Sequence, residues 1–156
     1  MIVFLDSGVI GLLSNPNKRD QVLACENWLY GLLAKGVYIV SSDICDYEVR
    51  RNLVLEFMRF EKRSQPLAVL DELHEFVEFL PVTPQVLMTA SDIWAKSRLQ
   101  GRAMANSMSI DADAIICAHW ELLKEEFPSR YVVVATTNVR HLSRFTEAFE
   151  WESIQL

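Results

Sequence analysis

The feature that most constrains this chain is a set of short, unbroken apolar runs, each closed by polar residues and parted from the next by a long helical stretch. Ile2-Val3-Phe4-Leu5 is such a run and ends at Asp6. Val37 to Val40 leads into Ser41-Ser42-Asp43, and Tyr131 to Ala135 leads into Thr136-Thr137-Asn138. A run that is apolar at every position, rather than at every second one, suits a strand buried on both faces. Such strands belong to parallel sheets, whose neighbours are joined by helical, right-handed crossovers. The order therefore predicts βαβ units and an α/β fold with a mostly parallel central sheet covered by helices on both faces.

The stretches between the runs carry helical periodicity. From Asp20 to Lys35 the residues Val22, Cys25, Trp28, Leu29, Leu32 and Leu33 recur at helical spacing, and Gly36 follows where a helix end favours positive φ. Ser41-Ser42-Asp43 offers N-cap chemistry for a helix bearing Ile44, Tyr47, Leu53, Phe57 and Phe60. A helical segment follows Pro66 through Leu67, Leu70 and Leu73, and Val77 to Val82 reads as extended. Thr83-Pro84 is an N-cap and first-turn pair for a helix with Val86, Leu87, Ala90, Ile93 and Trp94, stopped by Gly101. Arg102 to Ile110 has no period and reads as a loop. Asp111 to Phe127 is helical, with Ile115, Ile116, Leu122 and Leu123 facing inward, and Trp151 to Leu156 alternates as a last strand.

A length of 156 residues predicts one domain, 1–156. With 51% apolar and 23% charged residues the chain can bury a core and is far from a disordered composition. No apolar run approaches the roughly 18 residues of a membrane-spanning helix, and the opening residues lack a signal peptide's basic and long apolar regions, so a cytoplasmic location without a membrane partner is expected. The three cysteines, Cys25, Cys45 and Cys117, match neither a zinc pattern nor a disulfide framework. A net charge of -6 argues against a whole-molecule electrostatic grip on nucleic acid and leaves room only for local basic patches.

In an open α/β sheet, sites form beyond the carboxyl ends of strands, near the point where the strand order reverses. The polar residues at those ends are therefore the candidates. Asp6 closes the first strand, where a lone carboxylate loses hydration unless it is paired, binds a cation or caps the next helix. Ser7 beside it could orient that carboxylate or cap. Asp111 and Asp113 open a helix, where acids complement the dipole. Residues two apart do not share a helix face, so Asp113 ranks above Asp111 as a ligand, with Asp111 a cap or water-mediated partner. Glu48 lies between Ile44 and Leu53, and its alternative role is pairing with Arg50, Arg51 or Asn52. Asn138 follows a strand, where turn formation is the default. Thr136 and Thr137 could bond the backbone or a carboxylate.

Three carboxylates and an amide suit a hard, oxygen-seeking ion such as Mg²⁺, with Mn²⁺ able to substitute. Such an ion supports phosphodiester hydrolysis by neutralising phosphate and activating water. The chain holds no Gly-rich phosphate loop, HExxH, nucleophile elbow or Cys beside a base.

Four segments resemble the PIN domain, in particular the VapC-type toxins of bacterial toxin–antitoxin pairs. Val3 to Ile10 resembles the opening strand with its first acid, Asp6. Ser42 to Arg51 resembles the second motif, with Glu48 as the acid; Asp111 to Ala118 the third, with Asp113; and Val134 to Leu142 the last, with Asn138 where the family places Asp or Asn. The resemblance implies a three-layer α/β/α sandwich and a Mg²⁺-dependent endoribonuclease acting on RNA. It also implies a cognate antitoxin that blocks the site, and a homodimer. Two departures stand out. Members usually carry Thr-Asn or Thr-Ser after the first acid, where this chain has Ser7-Gly8, and the fourth position is the neutral Asn138. These favour one-metal or weakened catalysis, with a PIN-like domain that only binds RNA or a partner protein as the alternative. A haloacid-dehalogenase-like phosphatase is disfavoured, since it needs a second Asp at the position of Gly8. Candidate RNA contacts are Arg50 and Arg51, beside Glu48, and Arg140 after the last motif. Arg59, Lys62, Arg63, His141 and Arg144 fill out the two basic stretches, with His141 read as a surface or turn histidine.

Overall fold

A computed structural model describes residues 1–17, 19–60, 65–100 and 111–155. Strand β1 (Ile2–Leu5) is followed by helices α1 (Ser7–Leu13) and α2 (Asp20–Ala34), then β2 (Tyr38–Ser42), α3 (Asp43–Phe60), α4 (Gln65–Leu73) and β3 (Glu78–Leu80). Helices α5 (Pro84–Leu99) and α6 (Ala112–Glu126) lead to β4 (Val132–Thr136), a short α7 (Val139–Leu142) and β5 (Ala148–Glu150). The expected stop at Gly101 and loop from Arg102 to Ile110 lie outside the described residues, as do Lys62 and Arg63.

The strands run β3-β2-β1-β4-β5, and each neighbouring pair is parallel. The chain thus builds outward from β1 to β3 on one side, crosses back, and builds β4 and β5 on the other. The reversal of strand order falls between β1 and β4, which places a crevice at their carboxyl ends. Helix α1 packs against α2, α3 and α4; α5 packs against α6, and α7 lies beside α6. The result is a three-layer α/β/α sandwich. All four β1 side chains and all five of β4 are buried, which is why both strands read as continuous apolar runs.

Local chemistry explains the element ends. Thr83 Oγ1 accepts the Val86 N–H at 3.3 Å and Pro84 opens α5. Gly36 takes φ of 73° just past Lys35, the C-cap of α2. The expected strand from Trp151 to Leu156 is corrected: the edge strand is β5, and Trp151–Ser153 forms a 3-10 turn. The reason is packing. Trp151 turns inward to meet Trp28 edge-on at 5.5 Å between ring centroids, and Trp28 Nε1–H donates to the Ile154 carbonyl at 2.9 Å. Leu122 is only partly buried, whereas Ile115, Ile116 and Leu123 face the core as expected.

Candidate active site

The register brings the first acid to its partner. Leu5 pairs with Ala135, so the next residue of each strand, Asp6 and Thr136, fall side by side. The Asp6 N–H still donates to the Ala135 carbonyl at 3.1 Å. Asp6 Oδ2 accepts a short hydrogen bond from the Thr136 hydroxyl, and Oδ1 caps α1 by accepting the Val9 N–H at 2.9 Å. Capping and site roles, alternatives in the sequence, coexist on the two oxygens. Asp6 is 6% exposed, and burial pushes its pKa up to about 6. The bonds from Thr136 and Val9 oppose that rise, and the charge of Asp113 adds to it.

Ser7 does not orient Asp6. Its hydroxyl donates to Glu48 Oε2 at 2.6 Å, tying α1 to α3, while Arg51 stands 3.7 Å from the other Glu48 oxygen. Asn52 donates its side-chain N–H to the Glu48 backbone carbonyl, not to its carboxylate. Beneath them the fully buried Cys45 thiol faces the Ser7 and Ser41 hydroxyls, and burial holds it protonated, its pKa raised to about 12.

Asp111 lies outside α6 as its N-cap, with Oδ1 accepting the Ala114 N–H at 3.3 Å. Its other carboxylate oxygen is buried and has no hydrogen-bond partner among the described residues. Burial raises the pKa of Asp111, and that of Asp113 is raised by burial and then by the charges of Asp111 and Glu48. His141, at the end of β4's following helix, places Nδ1 3.5 Å from Asp113 Oδ2 and opposes that rise. It is a surface histidine, as expected, and its contact with Asp113 is what the sequence reading lacked. Only its position three residues after Asn138, at the same sheet edge, signals this in the sequence.

Asn138 is exposed; its N–H donates to Thr136 Oγ1 at 2.8 Å, and its side chain makes no capping bond. Thr137 is exposed beside Gly8. Arg51 and Arg140 are exposed, but Arg50 is committed elsewhere. Its guanidinium grips both Asp46 oxygens at 2.7 and 2.8 Å and Asp71 at 2.7 Å, fastening α3 to α4. Asp113 thus stands within reach of the charges of Asp6, Asp111 and Glu48, and repulsion along this edge runs through it. Among the described residues, no group of three or more His, Cys, Asp and Glu side chains could hold a metal ion as it stands. Glu48 is drawn instead to Ser7 and Arg51.

This PIN-like fold is shared with solved structures. The chain is similar to one in VapBC-1 from nontypeable Haemophilus influenzae (TM-score 0.66, 20% identity, 97% of this chain and 98% of that one). It is also similar to one in VapBC2 from Rickettsia felis bound to a DNA fragment from their promoter (TM-score 0.69, 18% identity, 96% and 100%). FitAcB from Neisseria gonorrhoeae has a chain matching at TM-score 0.65 and 19% identity, over 97% and 99% of the two chains. No family model matches the sequence, and no curated protein does. Among the described residues no helix is long and apolar enough to cross a membrane.

Proposed function

We propose that this protein is a Mg²⁺-dependent endoribonuclease of the VapC type, the cytoplasmic toxin of a toxin–antitoxin pair, able to use Mn²⁺ in place of Mg²⁺. The observation that carries the reading is Asp6: a carboxylate 6% exposed, at the strand-order reversal, with its pKa raised by burial and by the charge of Asp113. Neither acid has a Lys or Arg ion pair within the described residues that would balance it. A divalent cation would supply that balance. The all-oxygen set fits Mg²⁺, which is commonly held by one or two carboxylates and water rather than by a protein cage. Asp6 and Asp113 would hold the ion, with Glu48 and Asn138 reaching it directly or through water. Bound there, the ion would neutralise phosphate charge and make water a better nucleophile.

The chain's own residues set the geometry. Thr136 and the α1 N-terminus fix the Asp6 carboxylate, and Ser7 fixes Glu48. Asp111 caps the helix that presents Asp113. Arg51 and Arg140, both exposed, would meet RNA phosphates around the acidic edge, which would answer the negative net charge. The VapBC and FitAcB likenesses support an antitoxin protein as partner, and a homodimer accords with the same resemblance. The test is cleavage of RNA by the purified chain. Cleavage with Mg²⁺ or Mn²⁺ that stops in EDTA, and in Asp6→Asn or Asp113→Asn, is expected; undiminished cleavage by both variants overturns the assignment.

The neutral Asn138, together with Glu48's commitment to Ser7, favours a second reading, a PIN-like domain that binds RNA or a partner without cutting. Metal affinity separates the two: the nuclease binds Mn²⁺, and a vestigial site does not.

A further inference from the structure

We infer that Gly8 and Thr137 act as one position of the site: the absent side chain at residue 8 makes room for Thr137, whose hydroxyl meets the ligand held at Asp6. The inference rests on the divalent-ion reading and adds to it a residue that positions the ion's shell.

The argument begins with space. A Cβ built on Gly8 would overlap Thr137 Oγ1, and would stand 3.2 Å from Thr137 Cβ and 3.3 Å from Asp6 Oδ1. Thr137 therefore reaches from the end of β4 to the first turn of α1 and sets its hydroxyl where a residue-8 side chain would begin. Gly8 cannot easily draw back, because it lies inside the first turn of α1, which the Asp6 carboxylate caps through the next residue's N–H, Val9. Either residue 8 or residue 137 can fill the space.

The two neighbouring threonines then divide the work. Thr136 is buried, and its hydroxyl is used twice, donating to Asp6 and accepting from the Asn138 N–H. Thr137 is exposed, and its hydroxyl has no hydrogen bond to the described residues. A free hydroxyl thus stands next to a carboxylate that is almost closed to solvent. It is placed to bond a water of the ion's shell or a phosphate oxygen, and outer partners of this kind commonly change metal affinity or activity by about 10- to 100-fold.

The experiment is calorimetric titration with Mn²⁺, with thermal unfolding as the check on folding, for Thr137→Gly, Thr137→Ser, Gly8→Ser and the double variant Gly8→Ser with Thr137→Gly. Thr137→Gly is expected to weaken Mn²⁺ binding about 10-fold. Thr137→Ser keeps the hydroxyl and most of the affinity. Gly8→Ser alone lowers the unfolding midpoint through overlap. In the double variant the midpoint recovers, and the hydroxyl, now carried by residue 8, restores binding. If the parent binds Mn²⁺ and Thr137→Gly binds it as tightly, this inference alone is overturned. A parent that binds no Mn²⁺ overturns the divalent-ion reading of the site and this inference with it.

Discussion

Asp6 combines three demands on one side chain: it ends a buried strand, caps α1 and carries charge where water barely reaches. Its pKa rises from 3.8 to about 6, so the folded state holds a proton that the unfolded chain has already released between those values. Stability is therefore unaffected below pH 4, falls as pH rises to 6, and bears the full cost above it. That cost is about 2–3 kcal/mol. In chelator, Asp6→Asn should unfold at a higher temperature than the parent at pH 7.5, with the advantage gone at pH 4; a variant less stable at both values contradicts the burial account. Ser7 is a second test. Ser7→Ala frees Glu48 to turn toward Arg51, and RNA cleavage should fall about 10-fold with little change in unfolding temperature. The places of Asp6, Asp113 and Asn138 at one sheet edge were legible because each sits at the end of an element whose period is plain. Ser7's choice of Glu48 over Asp6 was not, since it depends on how α1 crosses α3.

At the scale of elements, α6 both presents Asp113 and buries His119 against the sheet. His119 shares a 2.9 Å hydrogen bond with the Ser42 hydroxyl and stacks on Phe4, and burial lowers its pKa to about 4. Here the sign is opposite to that of Asp6: the unfolded chain takes up a proton below pH 6.5 while the folded state refuses it until near pH 4. Stability is lost as pH falls through that window. His119→Gln should flatten the decline in unfolding temperature between pH 6.5 and 4; an unchanged slope counts against a neutral buried imidazole. The helical period of α6 puts position 119 on the inward stripe of Ile115, Ile116 and Leu123; what it does not show is the partner that satisfies the imidazole there, because Ser42 comes from β2. In the α3–α4 fastening, Arg50 and Asp46 stand four apart on one helix and were legible as a pair, whereas Asp71 comes from α4 and was hidden in the same way. Arg50→Leu should leave RNA affinity close to the parent's and cost about 0.5–1 kcal/mol of stability. Arg51→Leu should weaken RNA binding, and equal losses for the two variants contradict the division. Three-residue β5 is too short to show a period, and Trp151's inward turn erased the alternation expected after it.

For the whole molecule, the parallel sheet was readable from strands apolar at every position, and so was the edge where its polar ends gather. What the order β3-β2-β1-β4-β5 adds is the reversal between β1 and β4, which sets Asp6 beside Thr136 and brings Asp113 within reach of Asp6's charge. The net charge of -6 then gains a local meaning, since part of it is concentrated where a cation would relieve it. The account turns on that relief. Its most direct test is calorimetric titration of the intact chain with Mn²⁺ at pH 7.5, beside Asp6→Asn and Asp113→Asn. Saturable binding by the parent that is lost in both variants is the predicted result; no binding by the parent, or binding untouched by either substitution, contradicts it.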